Sequence, residues 1–210
     1  MSASRGVLRC GAAAGPLFIS VFLIEGARRP GYRPLRHPVS SLSLGGRGWV
    51  QVANFAATGM LYIAGAAGLA RSSDPRGNRF GAAALGATGA GLLGSAAFRT
   101  DPVSGYPPGT PDTPASPTVT GAMHTVAGLP IFLGIPVATL ACAWRSRRSG
   151  RRYWPVYSAA TGVCMLTSMA LTSAGLSQSP RLVNFAGLFQ RAAIVTGFSW
   201  LTVLSMRARQ

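Results

Sequence analysis

The sequence predicts an all-α protein, a polytopic membrane helix bundle with six transmembrane helices. Six stretches of about twenty mostly apolar residues fill most of the chain, and about 20 helical residues cross a hydrocarbon core about 30 Å thick. Of the 210 residues, 48% are hydrophobic and only 11% are charged. The arginines lie mainly between the apolar stretches, as they do in membrane proteins.

The six predicted spans follow one another without a linker, so residues 1–210 are treated as one domain. We place the helices at residues 7–27, 49–70, 81–98, 122–144, 153–176 and about 182–206. Arg5 and Arg9 before the first apolar run also fit a signal peptide, but the five later spans favour a retained helix. Pro130 and Pro136 interrupt the fourth helix and should bend it.

The third span carries a stripe of small residues. Ala82, Gly86, Ala90 and Gly94 recur at every fourth position. Small residues let two helix backbones approach closely, so this helix should pack centrally. The general abundance of alanine and glycine is the alternative explanation.

Arginine supplies all 20 basic residues, and its distribution predicts the orientation. With the N-terminus inside, twelve arginines lie on the cytoplasmic side and seven outside, although five of those seven are in the first outer loop. Because cytoplasmic loops are enriched in basic residues, the sequence predicts N-in and C-in. The expected location is the bacterial cell (inner) membrane, since arginine without lysine resembles the codon bias of a high-GC bacterial genome.

Several classes of function are not indicated. The net charge of +16 would suit nucleic acid, but that footprint needs a continuous basic face, so no nucleic-acid partner is expected. Neither GxxxxGK[ST] nor a GxGxxG after a strand occurs. Cys10, Cys142 and Cys164 are odd in number and lack metal-ligand spacing, so we expect them to pack rather than form disulfides.

The residues able to do chemistry gather on the predicted outer side. Both histidines, His37 and His124, lie there with Glu25, Asp101 and Asp112, which are three of the four acids. Ionisable groups at membrane depth are costly and suggest function. The proline-rich segment 101–121 should form an extended lid over the outer mouth or a plain connector, with Tyr106 and Asp112 exposed to solvent.

Arg191 is the charged residue that the sequence places deepest in the membrane. It lies about 13 Å along the sixth helix from Leu182, at 1.5 Å per residue, which is deep enough to need a partner. Asp101 or Glu25 could be that partner. A purely structural ion pair that holds helices together is the alternative.

One interpretation of this group is catalytic. His37, Asp101 and His124 could hold a divalent metal such as zinc, with water in the fourth position. His124 could instead act as a general base oriented by Asp101, with Ser40 as a nucleophile. No HExxH or GxSxG motif supports either arrangement, and capping or packing explains each residue alone.

The other interpretation is a binding site. Arg36 and Arg191 could hold a phosphate, because a planar guanidinium donates two hydrogen bonds at once. Gln51, Asn54 and Gln190 would add polar groups to that site. The partner would then be a membrane lipid.

Six short blocks in this order resemble the bacterial six-helix membrane family known as domain of unknown function 998 (DUF998). They are residues 32–45, 48–55, 98–102, 105–108, 122–125 and 187–191. The likeness covers about residues 11–204 and implies six helices and an undetermined activity. The matching positions are His37, Ser40, Trp49, Gln51, Asn54, Phe55, Asp101, His124 and Arg191. The family pattern leads us to expect an acid where this chain has Gln190, so a step that uses such an acid would be missing.

The sequence leaves three hypotheses for the function. The favoured one is binding of an anionic lipid headgroup or phosphate-bearing lipid carrier at the extracytoplasmic polar site. The second is a metal-dependent intramembrane lipid hydrolase or transferase that uses His37, Asp101 and His124. The third is a small transporter or membrane scaffold, and a homo-oligomer stays open because a single bundle would be narrow for transport.

Overall fold

The computed structural model describes residues 2–71, 75–113, 116–147 and 153–207. The α-helices are α1 (Ser2–Arg28), α2 (Gly48–Ala70), α3 (Pro75–Ala97), α4 (Val119–Leu129), α5 (Ile135–Ser146), α6 (Tyr153–Leu176) and α7 (Ala186–Arg207). A π-helical segment, Pro130–Gly134, joins α4 to α5, and 3₁₀ turns occupy Val39–Ser43 and Val183–Phe185. These described residues contain no β-strand, in agreement with the predicted all-α class.

Six helical stretches are long and apolar enough to cross a membrane. They are Arg9–Arg28, Gly48–Ala70, Arg79–Ala97, Val119–Ser146, Tyr153–Leu176 and Val183–Arg207. The fourth combines α4, the π-helical segment and α5. Each predicted span matches one of them to within a few residues. The prediction of six transmembrane helices is confirmed, and the chain is a multi-pass membrane protein.

The helices form a ring in which neighbours in sequence are neighbours in space. α1 packs on α2, α2 on α3, α3 on α4, α5 on α6 and α6 on α7, and contacts between α1 and α7 close the ring. Aromatic side chains fill part of its interior. The ring of Phe18 lies 5.2 to 5.8 Å from those of Phe22, Phe55 and Phe198. This aromatic core joins α1, α2 and α7.

The third spanning helix, α3, packs between α2 and α4, as its small residues predicted. Close approaches involve Gly94 of the predicted stripe, whose Cβ would lie 2.7 Å from Ala127 Cβ, and also two glycines outside the stripe. A Cβ on Gly89 would lie 2.7 Å from the carbonyl oxygen of Gly59 in α2, whereas Ala90 is exposed. A Cβ on Gly91 would lie 2.6 Å from the carbonyl oxygen of Ala127 in α4. α3 therefore uses two faces, one for each neighbour, which a single stripe does not describe.

The fourth span changes its neighbours halfway along. Pro130 begins the π-helical segment, so the predicted interruption is found there, and Pro136 lies in the first turn of α5. α5 packs on α6 and buries four residues, whereas α4 packs on α3 and buries only Gly121. Among the described residues, α4 makes no extensive contact with α6 or α7. A gap therefore separates α4 from α6 in one half of the bundle.

Candidate functional site

Three connecting segments meet at one end of the bundle, which we call the polar end: residues 29–47, 98–113 and 177–185. Arg36 joins all three. Its guanidinium donates hydrogen bonds to the Ser104 carbonyl oxygen (3.1 Å), to Asn184 Oδ1 (2.9 Å) and to Asp112 Oδ1 (2.7 Å). Arg36 is thus occupied by protein groups that tie the segments together.

The second of these segments folds back onto the first. The side chain of Tyr106 is only 2% exposed, and its ring lies 5.2 Å from the rings of Tyr32 and His37. The expectation that Tyr106 is exposed to solvent was wrong, because the aromatic side chain is buried between two segments. Asp112 is exposed but forms the ion pair with Arg36. Part of the proline-rich segment therefore acts as a packed cover rather than a free connector.

Arg191 of α7 is bound by backbone carbonyl groups. Its guanidinium donates to the carbonyl oxygens of Pro34, His37 (3.0 Å) and Gly187 (2.9 Å), and to the hydroxyl of Tyr32. The expected carboxylate partner, Asp101 or Glu25, is therefore not found. Carbonyl dipoles that converge on a buried guanidinium satisfy its donors as a carboxylate would.

Gly187 makes this arrangement sterically feasible. A Cβ at this position would collide with the carbonyl oxygens of Pro34 and His37. The backbone of the first connecting segment also accepts hydrogen bonds from the start of α7, where the N–H groups of Gly187 and Leu188 donate to Arg36 and Leu35 (3.1 and 2.9 Å). These unpaired N–H groups at a helix N-terminus need acceptors, and the segment provides them.

His37 is 2% exposed and has partners on both ring nitrogens. Nδ1 accepts from the backbone N–H of Arg33 (2.9 Å), so Nε2 carries the proton and donates to the Ser104 carbonyl oxygen (3.1 Å). Burial, together with the charges of nearby arginines, lowers the pKa of His37 to about 4 against the opposing effect of the Ser104 hydrogen bond. His37 is therefore neutral at pH 7 and holds the loop in place.

Glu25, at the end of α1, is bound by two arginines. Arg29 Nη2 donates to it at 3.1 Å and Arg47 Nη2 at 2.6 Å. Arg29 also donates to the carbonyl oxygens of Leu42 (3.2 Å) and Leu44 (2.9 Å). The group fastens the end of the first connecting segment to α1.

Asp101 and His124 lie at the junction of α3 and α4. Asp101 accepts hydrogen bonds from the hydroxyl (2.7 Å) and the backbone N–H (3.0 Å) of Thr118, the N-cap residue of α4. His124 Nδ1 is hydrogen-bonded to the Phe98 carbonyl oxygen (2.8 Å) at the end of α3. A Cβ on Gly121 would collide with the Asp101 carboxylate, so that carboxylate rests directly on the backbone of α4.

The predicted metal ligands are not assembled as one group. In the described part of the chain, no three His, Cys, Asp or Glu side chains are close enough to share a metal ion. His37 uses both nitrogens for Arg33 and Ser104, while Asp101 and His124 lie together at the start of α4. The catalytic hypothesis is therefore left with Asp101, His124 and Ser40, without His37.

A cavity of about 390 Å³ opens beside these residues, between α4, α6 and α7. Its wall is mainly apolar. The apolar lining includes Phe18, Val39, Phe55, Leu92, Ile131, Phe132, Met169, Leu176, Ile194 and Phe198. Four predicted site residues also line it, namely Ser40, Asp101, His124 and Gln190. The other five, Arg36, His37, Gln51, Asn54 and Arg191, do not.

Gln190 and Ser40 present unused hydrogen-bonding groups to this cavity. Gln190 Oε1 accepts a hydrogen bond from the backbone N–H of Val39 (2.7 Å), which fastens the 3₁₀ turn Val39–Ser43 to α7 at the cavity wall. No described residue is hydrogen-bonded to Gln190 Nε2 or to the hydroxyl of Ser40. Either group could therefore bind a ligand.

Gln51 and Asn54 lie deep between α1 and α2. Asn54 Nδ2 donates to the Phe18 carbonyl oxygen (3.1 Å) and lies 3.4 Å from Gln51 Oε1. Gln51 is fully buried, and its Nε2 has no partner among the described residues. The pair links two helices rather than lining the cavity.

The comparisons with known proteins identify a family. The model of the family described as "Protein of unknown function (DUF998)" matches residues 12–207. The chain belongs to the DUF998 family. No curated protein and no solved structure matches it. In this DUF998 protein, the glutamine at position 190 has a structural partner in Val39, and a carboxylate there could accept the same hydrogen bond.

The residues by which α4 and α6 line the cavity were not predicted from the sequence, apart from His124. Gly121, Thr125 and Gly128 of α4 and Phe132 of the π-helical segment line it. Their spacing of three or four residues puts them on one helix face, which was the available signal. On α6, the lining residues include Met169, Thr172, Ser173 and Leu176. Because such small and polar residues occur throughout this chain, the pattern did not stand out.

Proposed function

We propose that this DUF998 protein binds one molecule of a membrane lipid in the cavity between α4, α6 and α7. The composition of the cavity wall carries the proposal. Ligand cavities typically measure about 300–1,000 Å³ and are mainly apolar with a few placed polar groups, as here. The hydrocarbon part of the lipid would lie along the apolar wall, with its headgroup near Ser40, Asp101 and His124.

Access from the side supports a lipid over a water-soluble ligand. α4 packs on α3 and leaves a gap between itself and α6. The cavity is therefore open between the membrane-spanning helices α4 and α6. Thr125 of α4 and Ser173 of α6 both line the cavity and are exposed. A lipid could pass between them without leaving the membrane.

Two of the predicted functions, binding of an anionic headgroup and metal-dependent hydrolysis, have less support. Arg36 and Arg191, expected to hold a phosphate, are bound to protein groups away from the cavity, so an anionic headgroup lacks its expected partners. A metal-dependent hydrolase would need His37 beside Asp101 and His124. We therefore propose lipid binding without assigning a reaction.

Location and orientation are also proposed. The use of arginine without lysine favours a bacterial cell membrane protein, and the distribution of the arginines favours the extracytoplasmic side for the polar end. The headgroup of the bound lipid would then lie at the level of the outer leaflet.

Native mass spectrometry of the protein released from mild detergent tests the proposal. The parent protein should retain one lipid. Thr125→Trp should lose it, because the indole would fill the cavity. Val126→Trp is the matched control, because Val126 is the exposed neighbour of Thr125 and does not line the cavity.

The two variants make the result decisive. Loss of the lipid in Thr125→Trp alone would support the cavity as its site. Equal retention in both variants would overturn the proposal, since the lipid would then bind elsewhere on the surface.

A further inference from the structure

We infer that the headgroup recognised in this cavity is a protonated amine, bound by Asp101. The inference rests on the proposed lipid binding and specifies its chemistry. It differs from the anionic headgroup that the sequence suggested, and it follows from which charged groups face the cavity.

Asp101 is the one acidic residue among those that line the cavity, and no arginine lines it in the described structure. The other acids of the polar end already have cationic partners. Glu25 is paired with Arg29 and Arg47, and Asp112 with Arg36. The ion pairs between described residues do not include Asp101, although the chain carries a net charge of +16.

The Asp101 carboxylate is positioned and still has hydrogen-bonding capacity. Each of its oxygens accepts one hydrogen bond from Thr118, and the carboxylate rests on Gly121. An ionised carboxylate has about four acceptor sites, so two remain for a donor in the cavity. An ammonium group has three donors and would meet this carboxylate without displacing Thr118.

The surroundings favour a cation over an anion. Coulomb attraction between opposite charges grows as the local dielectric constant falls, and the cavity wall is mainly apolar. The same carboxylate would repel a phosphate. Phe55 and Phe132 also line the cavity, and aromatic faces attract ammonium groups. The hydroxyl of Ser40 offers a further acceptor to the amine.

Two sources could supply this chemistry, an aminolipid headgroup or a free lipophilic amine. Three probes with the same chain separate the headgroups: dodecylamine, dodecanol and dodecyl phosphate. Added at equal concentration to the parent protein in mild detergent, they are compared by native mass spectrometry. We expect dodecylamine to be bound at least about tenfold in excess over the alcohol, which corresponds to about 1.4 kcal/mol.

Variants assign the preference to Asp101. Asp101→Asn should bring the ratio of bound amine to bound alcohol close to one, whereas Asp101→Glu should keep the amine preference because it keeps the charge. Asp112→Asn is the matched control, since it removes a carboxylate of the polar end that does not line the cavity. The ratio measured on the parent protein remains informative even if Asp101→Asn does not fold.

The outcomes separate the inference from the proposed function. Equal binding of the three probes, or a preference for dodecyl phosphate, would overturn the amine inference. If Thr125→Trp still removed those probes, lipid binding itself would stand. Absence of binding, or binding that Thr125→Trp does not change, would overturn both. A co-purified aminolipid would indicate the headgroup as the source, and uptake of added dodecylamine by a lipid-free protein would indicate a free amine.

Discussion

At the scale of single residues, buried arginines organise the polar end. Arg29 and Arg191 are 8% and 9% exposed, and both donate mainly to backbone carbonyl groups of the first connecting segment. Burying a charge is costly unless it is hydrogen-bonded, and these bonds hold both guanidinium groups, although Arg29 Nε has no partner among the described residues. These two side chains therefore fix the path of a segment that has little regular secondary structure.

Replacing Arg191 should destabilise the protein. Arg191→Ala leaves the carbonyl oxygen of Pro34 without its donor and removes one of the two donors to that of His37, the other being the Tyr32 hydroxyl. Unsatisfied buried groups cost about 1–3 kcal/mol each. We expect a loss of about 3 kcal/mol in the free energy of unfolding in detergent. Arg191→Lys should recover part of it, because an ammonium cannot reproduce the planar fork. Arg181→Ala, at an exposed site, is the control, and equal stability of both alanine variants would contradict the prediction.

The stability of the protein should depend on pH through His37. The pKa of His37 is about 4 in the folded protein, against 6.5 for an ordinary histidine. Between these values the unfolded chain binds a proton that the folded protein does not, so the free energy of unfolding falls as the pH falls from about 6.5 to about 4. His37→Asn should flatten this dependence. Unfolding temperatures measured from pH 7 to 4.5 check it, and parallel curves for both proteins would refute the role of His37.

At the scale of helices, glycine sets the distance between α2 and α3. A Cβ on Gly59 would lie 2.9 Å from the Gly89 carbonyl oxygen, and a Cβ on Gly89 would lie 2.7 Å from the Gly59 carbonyl oxygen. Small residues are what allow such contacts between membrane helices. In the fourth span, the helix is interrupted at Pro130. As a result, α4 packs on α3 whereas α5 packs on α6.

A large side chain at the α2–α3 contact should disrupt it. Gly89→Leu places its branched side chain against the backbone of α2, and overpacking of this kind costs about 1–3 kcal/mol or more. Ala90→Leu is the matched control, since Ala90 is exposed on the same helix. Thermal unfolding in detergent should show a marked loss for Gly89→Leu alone. Similar losses in both variants would contradict the close contact.

At the scale of the whole molecule, six spans arranged in a ring put both ends of the chain on the same side of the membrane. The arginine distribution predicts that this side is the cytoplasm, with the polar end outside. A C-terminal fusion to green fluorescent protein should therefore fluoresce, and a fusion to alkaline phosphatase should be inactive. The reverse pattern would show that the four arginines of the first connecting segment lie in the cytoplasm.

Much of the fold followed from the sequence because the length and hydropathy of a span are local properties. All six helices were predicted to within a few residues, and the six short blocks between Tyr32 and Arg191 indicated the family. Prolines at 130 and 136 likewise indicated where the fourth helix is interrupted.

The site could be predicted only in part. Four of the predicted residues line one cavity, namely Ser40, Asp101, His124 and Gln190. Arg36 and Arg191 instead bind protein groups and stabilise the loops. The partners of Arg191 are largely backbone carbonyl groups, which every residue carries, so no pattern of side chains indicates them. Two partners of Arg36 are the side chains of Asp112 and Asn184, which are distant in sequence. The sequence by itself determined the six spans and the family, since these depend on hydrophobicity along the chain. Tertiary structure alone decided that Asp101 lines an apolar cavity and has no cationic partner among the described residues, because that depends on packing between distant helices.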